Sequence, residues 1–231
     1  MKSRAVLLAA SLVLVGTAGY ASAAPAKAKA VKPVCNLVAD AKGDATYNNV
    51  PGADGDDIVS ADVASDATTI TGVLRTAALT SPDPQAPFGR GYFVLFSAPG
   101  SADQLFVSAR TYPQGTTFVY GYQGVDPNTG VNTSYTLGQA TGVLDAAKSE
   151  VRISVPIKAL ADGAKAKLAP GTKLAGLTAQ TYRIVGQGFV PSQSPAPGAP
   201  RVPVGGVLLP FDDATGGSYV MGTPSCVVVG K

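Results

Sequence analysis

From residue 58 to residue 155 the chain is written as short runs in which apolar and polar side chains alternate, joined by turns. Ile58–Val63 and Thr69–Ala77 flank Ser65-Asp66-Ala67, and Tyr92–Phe96 and Gln104–Thr111 flank Pro99-Gly100-Ser101-Ala102. Thr116–Tyr122 and Val131–Leu137 flank Asp126-Pro127-Asn128-Thr129-Gly130, and Thr141–Leu144 and Val151–Val155 flank a polar turn. A period of two puts successive side chains on opposite faces, the pattern of half-buried strands in hairpins. No long helical pattern separates the runs, so parallel βαβ units are excluded. The expected fold class is all-β: an antiparallel β-sandwich, immunoglobulin-like or jelly-roll-like, of ten or eleven strands. Pro156–Leu160 reads as one helical turn, and 173–185 as one long strand. PSQSPAPGAPRVP is expected to be a loop, followed by a short strand at Gly206–Leu209, a turn at Phe211–Gly217 and a final strand at Ser218–Val229.

Cys35 and Cys226 bracket almost all of these runs. The first 23 residues have the form of an export signal: Lys2 and Arg4, the apolar run Ala5–Val15, and the small-x-small site Ala21-Ser22-Ala23. That run is too short to span a bilayer, and no later stretch approaches the roughly 20 apolar residues a span needs. The expectation is a secreted protein, extracellular or associated with a cell wall, without stable membrane insertion. In such a protein a lone cysteine pair forms a disulfide, here joining the first strand to the last. The expected organisation is a signal at 1–23, a flexible Pro/Ala-rich linker at 24–34 and a single domain at 35–231.

Charge excludes one large class of partner. The formal balance of +3 comes from the signal and from Lys27, Lys29 and Lys32, because residues 35–231 carry 13 basic against 15 acidic groups. A body without a basic stripe is not built for nucleic acid. The chain has no histidine, so triads that need an imidazole base and His-ligated zinc are absent. The carboxylate pair a glycosidase needs could come only from Glu150 with Asp145, Asp212 or Asp213. Turn and strand-edge roles account for those residues more simply, and the chain reads as non-catalytic.

Two constellations are candidates for binding. Asp40, Asp44, Asp54, Asp56 and Asp57 crowd a Gly/Asn-rich loop that could supply oxygen ligands to calcium. The spacing fits no EF-hand, and the same residues equally serve a solvated loop whose side chains satisfy turn backbone. Otherwise no cofactor is expected. Tyr120 and Tyr122 share parity and so one sheet face. Exposed, that face could stack on sugars or meet a partner protein; covered, it is ordinary sheet surface.

The segment Glu150-Val151-Arg152-Ile153-Ser154-Val155-Pro156-Ile157-Lys158-Ala159-Leu160, then Pro170-Gly171-Thr172 and Leu174–Leu177, follows the early acidic loop. This order resembles the sandwich domains related to the DOMON and family 9 carbohydrate-binding modules, over about 120 residues. The resemblance implies a sandwich fold and an extracellular polysaccharide as a partner. Such modules bind sugar through tryptophans, and this chain has none, so no binding residue carries over. The leading expectation is a secreted non-catalytic module binding extracellular glycan. The alternatives are a structural or adhesion protein of the cell envelope, with an envelope protein as partner, and a carboxylate-based hydrolase.

Overall fold

The computed structural model describes residues 32–79, 86–126, 130, 132–189 and 205–230. The expected signal, the expected linker up to residue 31 and the PSQSPAPGAPRVP segment lie outside the described residues. The strands in chain order are β1 (Val38–Ala39), β2 (Thr46–Tyr47), β3 (Val50–Pro51), β4 (Ile58–Ser65), β5 (Thr69–Thr76), β6 (Arg90–Ser97) and β7 (Gln104–Tyr112). They continue with β8 (Gly115–Val125), β9 (Asn132–Gln139), β10 (Thr141–Asp145), β11 (Glu150–Pro156), β12 (Lys173–Phe189), β13 (Gly205–Thr215) and β14 (Tyr219–Val220). One helix, α1 (Ile157–Ala164), follows β11.

The strands form an antiparallel sandwich. The smaller sheet runs β1-β4-β5-β11-β10, and the larger β13-β12-β6-β7-β8-β9 with β14 added on β12. β2 and β3 make a separate small hairpin whose turn residues, Asn48 and Asn49, both take the left-handed conformation that asparagine tolerates. All four expected hairpins are present: β4–β5, β6–β7, β8–β9 and β10–β11. The first closes on Asp66, whose Oδ1 accepts the N–H groups of Thr68 and Thr69 at 2.7 Å. At Ala140 the chain steps from the larger sheet to the smaller within one residue, and the Ala140 N–H donates to Phe118 O.

The core lies between the sheets. Ile70, Leu74, Val151 and Ile153 of the smaller sheet face Tyr92, Val94, Leu105 and Val107 of the larger. The layers approach closely at Gly72, where a Cβ would lie 2.5 Å from a Val107 methyl, and at Gly142, where one would lie 2.4 Å from the Phe118 ring. Ile157 and Leu160 of α1 join this core, and the helix runs two turns where the sequence suggested one. Two expectations near the C-terminus fail. Phe211–Asp213 continue β13 across a bulge instead of turning, and the last strand shrinks to Tyr219–Val220. The bulge lets the strand carry Pro210, which has no N–H to donate, at the sheet edge.

The two sheets treat their outer faces differently. On the smaller sheet, Arg75 bridges Asp62 at 2.8 Å and Glu150 at 3.0 Å, and Arg152 meets Glu150 at 2.6 Å. Beside this ionic row, Ala64 and Val73 are covered by Val227 of the C-terminal segment. Cys35 and Cys226 form the disulfide, with Cα atoms 5.2 Å apart. They sit outside the strands, next to a parallel bridge between Val34 and Ser225.

One buried ion cluster fixes the acidic loop to the larger sheet. Arg90 of β6 and Arg183 of β12 are register partners, and like charges facing across strands repel. Asp56, fully buried, lies between them: Arg90 Nε reaches Oδ1 at 2.7 Å and Arg183 Nε reaches Oδ2 at 2.8 Å. Thr181 Oγ1 donates to the Asp56 carbonyl.

Asp56→Ala leaves buried guanidinium charge uncompensated and should cost about 3–5 kcal/mol; urea unfolding reads this, and a loss under 1 kcal/mol would refute the account. Closing 191 residues, the disulfide should contribute at most about 5 kcal/mol. Unfolding with and without reductant measures that loss, and thiol titration of the denatured, unreduced protein should find no free thiol.

Candidate functional site

The acidic loop divides its carboxylates between two roles. Asp40, following β1, and Asp44 bring carboxylate oxygens together with Asp212 of β13, all within 4.8 Å of one another. This all-oxygen donor set is the chemistry a hard cation such as calcium takes. Asp54, Asp56 and Asp57 do not join it. Asp54 is exposed, Asp56 is held by its two arginines, and both oxygens of Asp57 accept the Gly43 N–H at 2.9 Å. Like charge crowded into a half-buried corner favours protonation. The Asp212 carboxyl is pushed up to about 6, chiefly by burial and then by the fields of Asp40 and Asp44. N–H donation from Ile58 and Asp213 opposes the rise. Burial likewise raises Asp40, whose Oδ2 is buried without a hydrogen-bond partner.

The tyrosine pair faces inward. Tyr120 is 9% exposed and belongs to the core between the sheets, and Tyr122 packs on the same core. Tyr122 stacks on Tyr135 of β9 with ring centroids 5.0 Å apart. Their shared parity is as the sequence indicates, but the face is the covered one. The carboxylates considered for hydrolysis are also occupied. Glu150 is bound by Arg75 and Arg152, and Asp145 caps the turn after β10 by accepting from Lys148.

The outer face of the larger sheet carries a second apolar layer. Phe93, Leu95, Phe106 and Val119 are each at most 2% exposed there, with Tyr182 and Leu208 packed beside them. Phe93 is the centre: Phe106 and Tyr182 meet it edge-on at 5.5 and 5.3 Å, and the Arg110 guanidinium lies over its ring at 5.6 Å. Two glycines on this face make room for the rings. A Cβ on Gly91 would touch Phe93 at 3.1 Å, and one on Gly121 would meet Phe106 at 2.8 Å. At one border Tyr182 donates to Gln180 at 2.7 Å, and Gln180 donates to Asp213. Burial pushes the Tyr182 hydroxyl up to about 12.

Within this layer two polar groups stand out on β7. Ser108 is fully buried and its Oγ has no hydrogen-bond partner; Arg110 is 5% exposed and its Nε has none. Burial lowers the Arg110 pKa, opposed by the Tyr112 hydroxyl. Sequence reasoning passed over this face because β6 was read as alternating. Tyr92-Phe93-Val94-Leu95-Phe96 is a continuous apolar run, the signature of a strand buried on both faces. A groove of ≈ 410 Å³ beside the β4–β5 turn, bordered by Ala67, Pro170 and Pro224, offers less chemistry. Its Asp66 caps the turn backbone, and its Ser65 hydroxyl accepts from the Gly222 N–H.

The Asp212 carboxyl binds its proton more tightly folded than unfolded, so its contribution to stability declines as pH rises from its ordinary 3.8 to about 6. The stability difference between Asp212→Asn and the parent should therefore grow in the variant's favour across that window and level off above it. Thermal melts at a series of pH values read this, and a constant difference would overturn it. The same melts with added calcium read whether a cation takes the proton's place. No family model, curated protein or solved structure matches the chain.

Proposed function

We propose that this chain is an exported, non-catalytic β-sandwich that binds an extracellular partner. The observation that carries the reading is that the carboxylates a hydrolase would need are already committed: Arg75 and Arg152 hold Glu150, and Lys148 holds Asp145. A two-layer sandwich needs one apolar face per sheet, and the other faces water. The smaller sheet follows that rule over its ionic row, whereas the larger is apolar on both sides. The chain covers that second face itself, so it is a second core and not a free surface. The apolar leader and the disulfide support an extracellular setting.

The inward-facing tyrosines and the committed carboxylates favour binding over both the sugar-stacking and the hydrolase readings.

Thermal shift against three panels tests this: apolar alcohols and acids, soluble oligosaccharides, and insoluble wall polysaccharide by co-sedimentation. A shift or retention with at least one panel, and no turnover of any oligosaccharide, is the expected result; hydrolysis of any of them would overturn the proposal.

A further inference from the structure

We infer that Tyr122 and Tyr135 form an oxidative modification site, at which a one-electron oxidant of the peroxidase class joins their rings into a dityrosine that clips β9 to β8. The inference concerns the edge of the larger sheet and does not depend on which partner the chain binds.

The pairing begins in the backbone. Tyr122 and Tyr135 are direct register partners in the β8–β9 ladder, so their side chains leave the same face side by side. The strands come close just before this pair, where a Cβ on Gly121 would lie 1.9 Å from the Tyr135 carbonyl oxygen. Only glycine permits that approach, and it fixes the Tyr135 backbone against β8. The two rings stack with centroids 5.0 Å apart and planes 26° apart, a separation at which facing ring atoms touch. Both residues are half-buried, so an oxidant in solvent reaches the pair. Tyr122 also packs on the main core, which keeps its ring from swinging away from Tyr135.

The surrounding charge suits the loss of an electron. Burial raises both phenols above their ordinary value; Asp103 adds to this at Tyr122, and Asp126 and then Asp103 at Tyr135. Each ring therefore meets the oxidant as a neutral phenol. The same negative field that holds the proton on stabilises a ring from which an electron has been drawn. The place in the fold gives the bond a purpose. β9 ends the larger sheet and is laddered on β8 alone, and an edge strand has hydrogen bonds along one side only.

The chemistry balances. The oxidant takes one electron from each phenol, and each hydroxyl proton passes to water, leaving two phenoxyl radicals. These couple through a new carbon–carbon bond between ring positions ortho to the oxygens. The hydrogen on each coupled carbon then moves to its own ring's oxygen, restoring both aromatic rings and both hydroxyls. Two electrons and two protons leave in total, and one hydrogen peroxide takes them up as two waters.

Peroxidase with hydrogen peroxide, applied to the dilute, disulfide-intact full chain, tests the inference. The expected product is a monomer two hydrogens lighter, with dityrosine fluorescence and a peptide map that joins residue 122 to residue 135. It should also melt higher than the untreated chain, because the link constrains the unfolded state. Tyr122→Phe and Tyr135→Phe keep the stacked ring, so each should melt as the parent does before treatment and form no link within the chain. Tyr112→Phe should cross-link as the parent does. Absence of dityrosine, or dityrosine mapped to other tyrosines or only between chains, would overturn the inference. A link that survives in Tyr135→Phe would do the same. Should either Phe variant fold poorly, the peptide map of the parent decides the matter.

Discussion

The Asp56 carboxylate is the point on which the architecture turns. Without it, β6 and β12 would set Arg90 directly opposite Arg183 in the middle of the larger sheet. Placing a carboxylate between the two guanidinium groups converts repulsion into a charge-assisted clamp, and it works only because the backbone from Ala53 to Asp57 folds inward to deliver it. Asp57, at the end of the same fold, accepts the Gly43 N–H and so holds the loop that carries Asp40 and Asp44. The loop is ordered by this ion cluster together with its own β2–β3 hairpin, which explains how so polar a segment packs against a sheet.

Much of the fold was legible before any coordinates. Asp66 and Pro99-Gly100 mark turns by their own chemistry, and the alternating runs around them leave little choice but antiparallel hairpins. The C-terminal third was harder for a local reason. A bulge at Pro210 lets β13 pass through residues that otherwise signal a turn, and the segment after Tyr219 is held by a disulfide and a bridge, not by a ladder. The sites were less legible than the fold. Parity gives Tyr120 and Tyr122 a common face but not which one. Asp212 meets Asp40 and Asp44 from the far end of the chain, a pairing no periodicity encodes. The continuous run at 92–96 did carry a signal for a doubly buried strand, and with it the apolar outer layer.

The two sheets handle buried charge differently. In the smaller sheet, surplus charge is spread along a cross-strand row of Asp62, Arg75, Glu150 and Arg152, where each ion has a partner. In the larger sheet's outer layer, Arg110 has an aromatic ring and a phenol instead. A sequence that pairs its buried charges so consistently on one sheet makes the exception on the other informative.

The disulfide has a mechanical meaning as well as a thermodynamic one. It links residues 35 and 226, with nearly every strand strung between them. Tension applied between the segment before Cys35 and the segment after Cys226 therefore runs through one covalent bond. The strands lie on a slack parallel branch and carry almost none of that load. A protein anchored by its leading arm in flowing surroundings could be tugged hard without a single ladder bond being asked to yield.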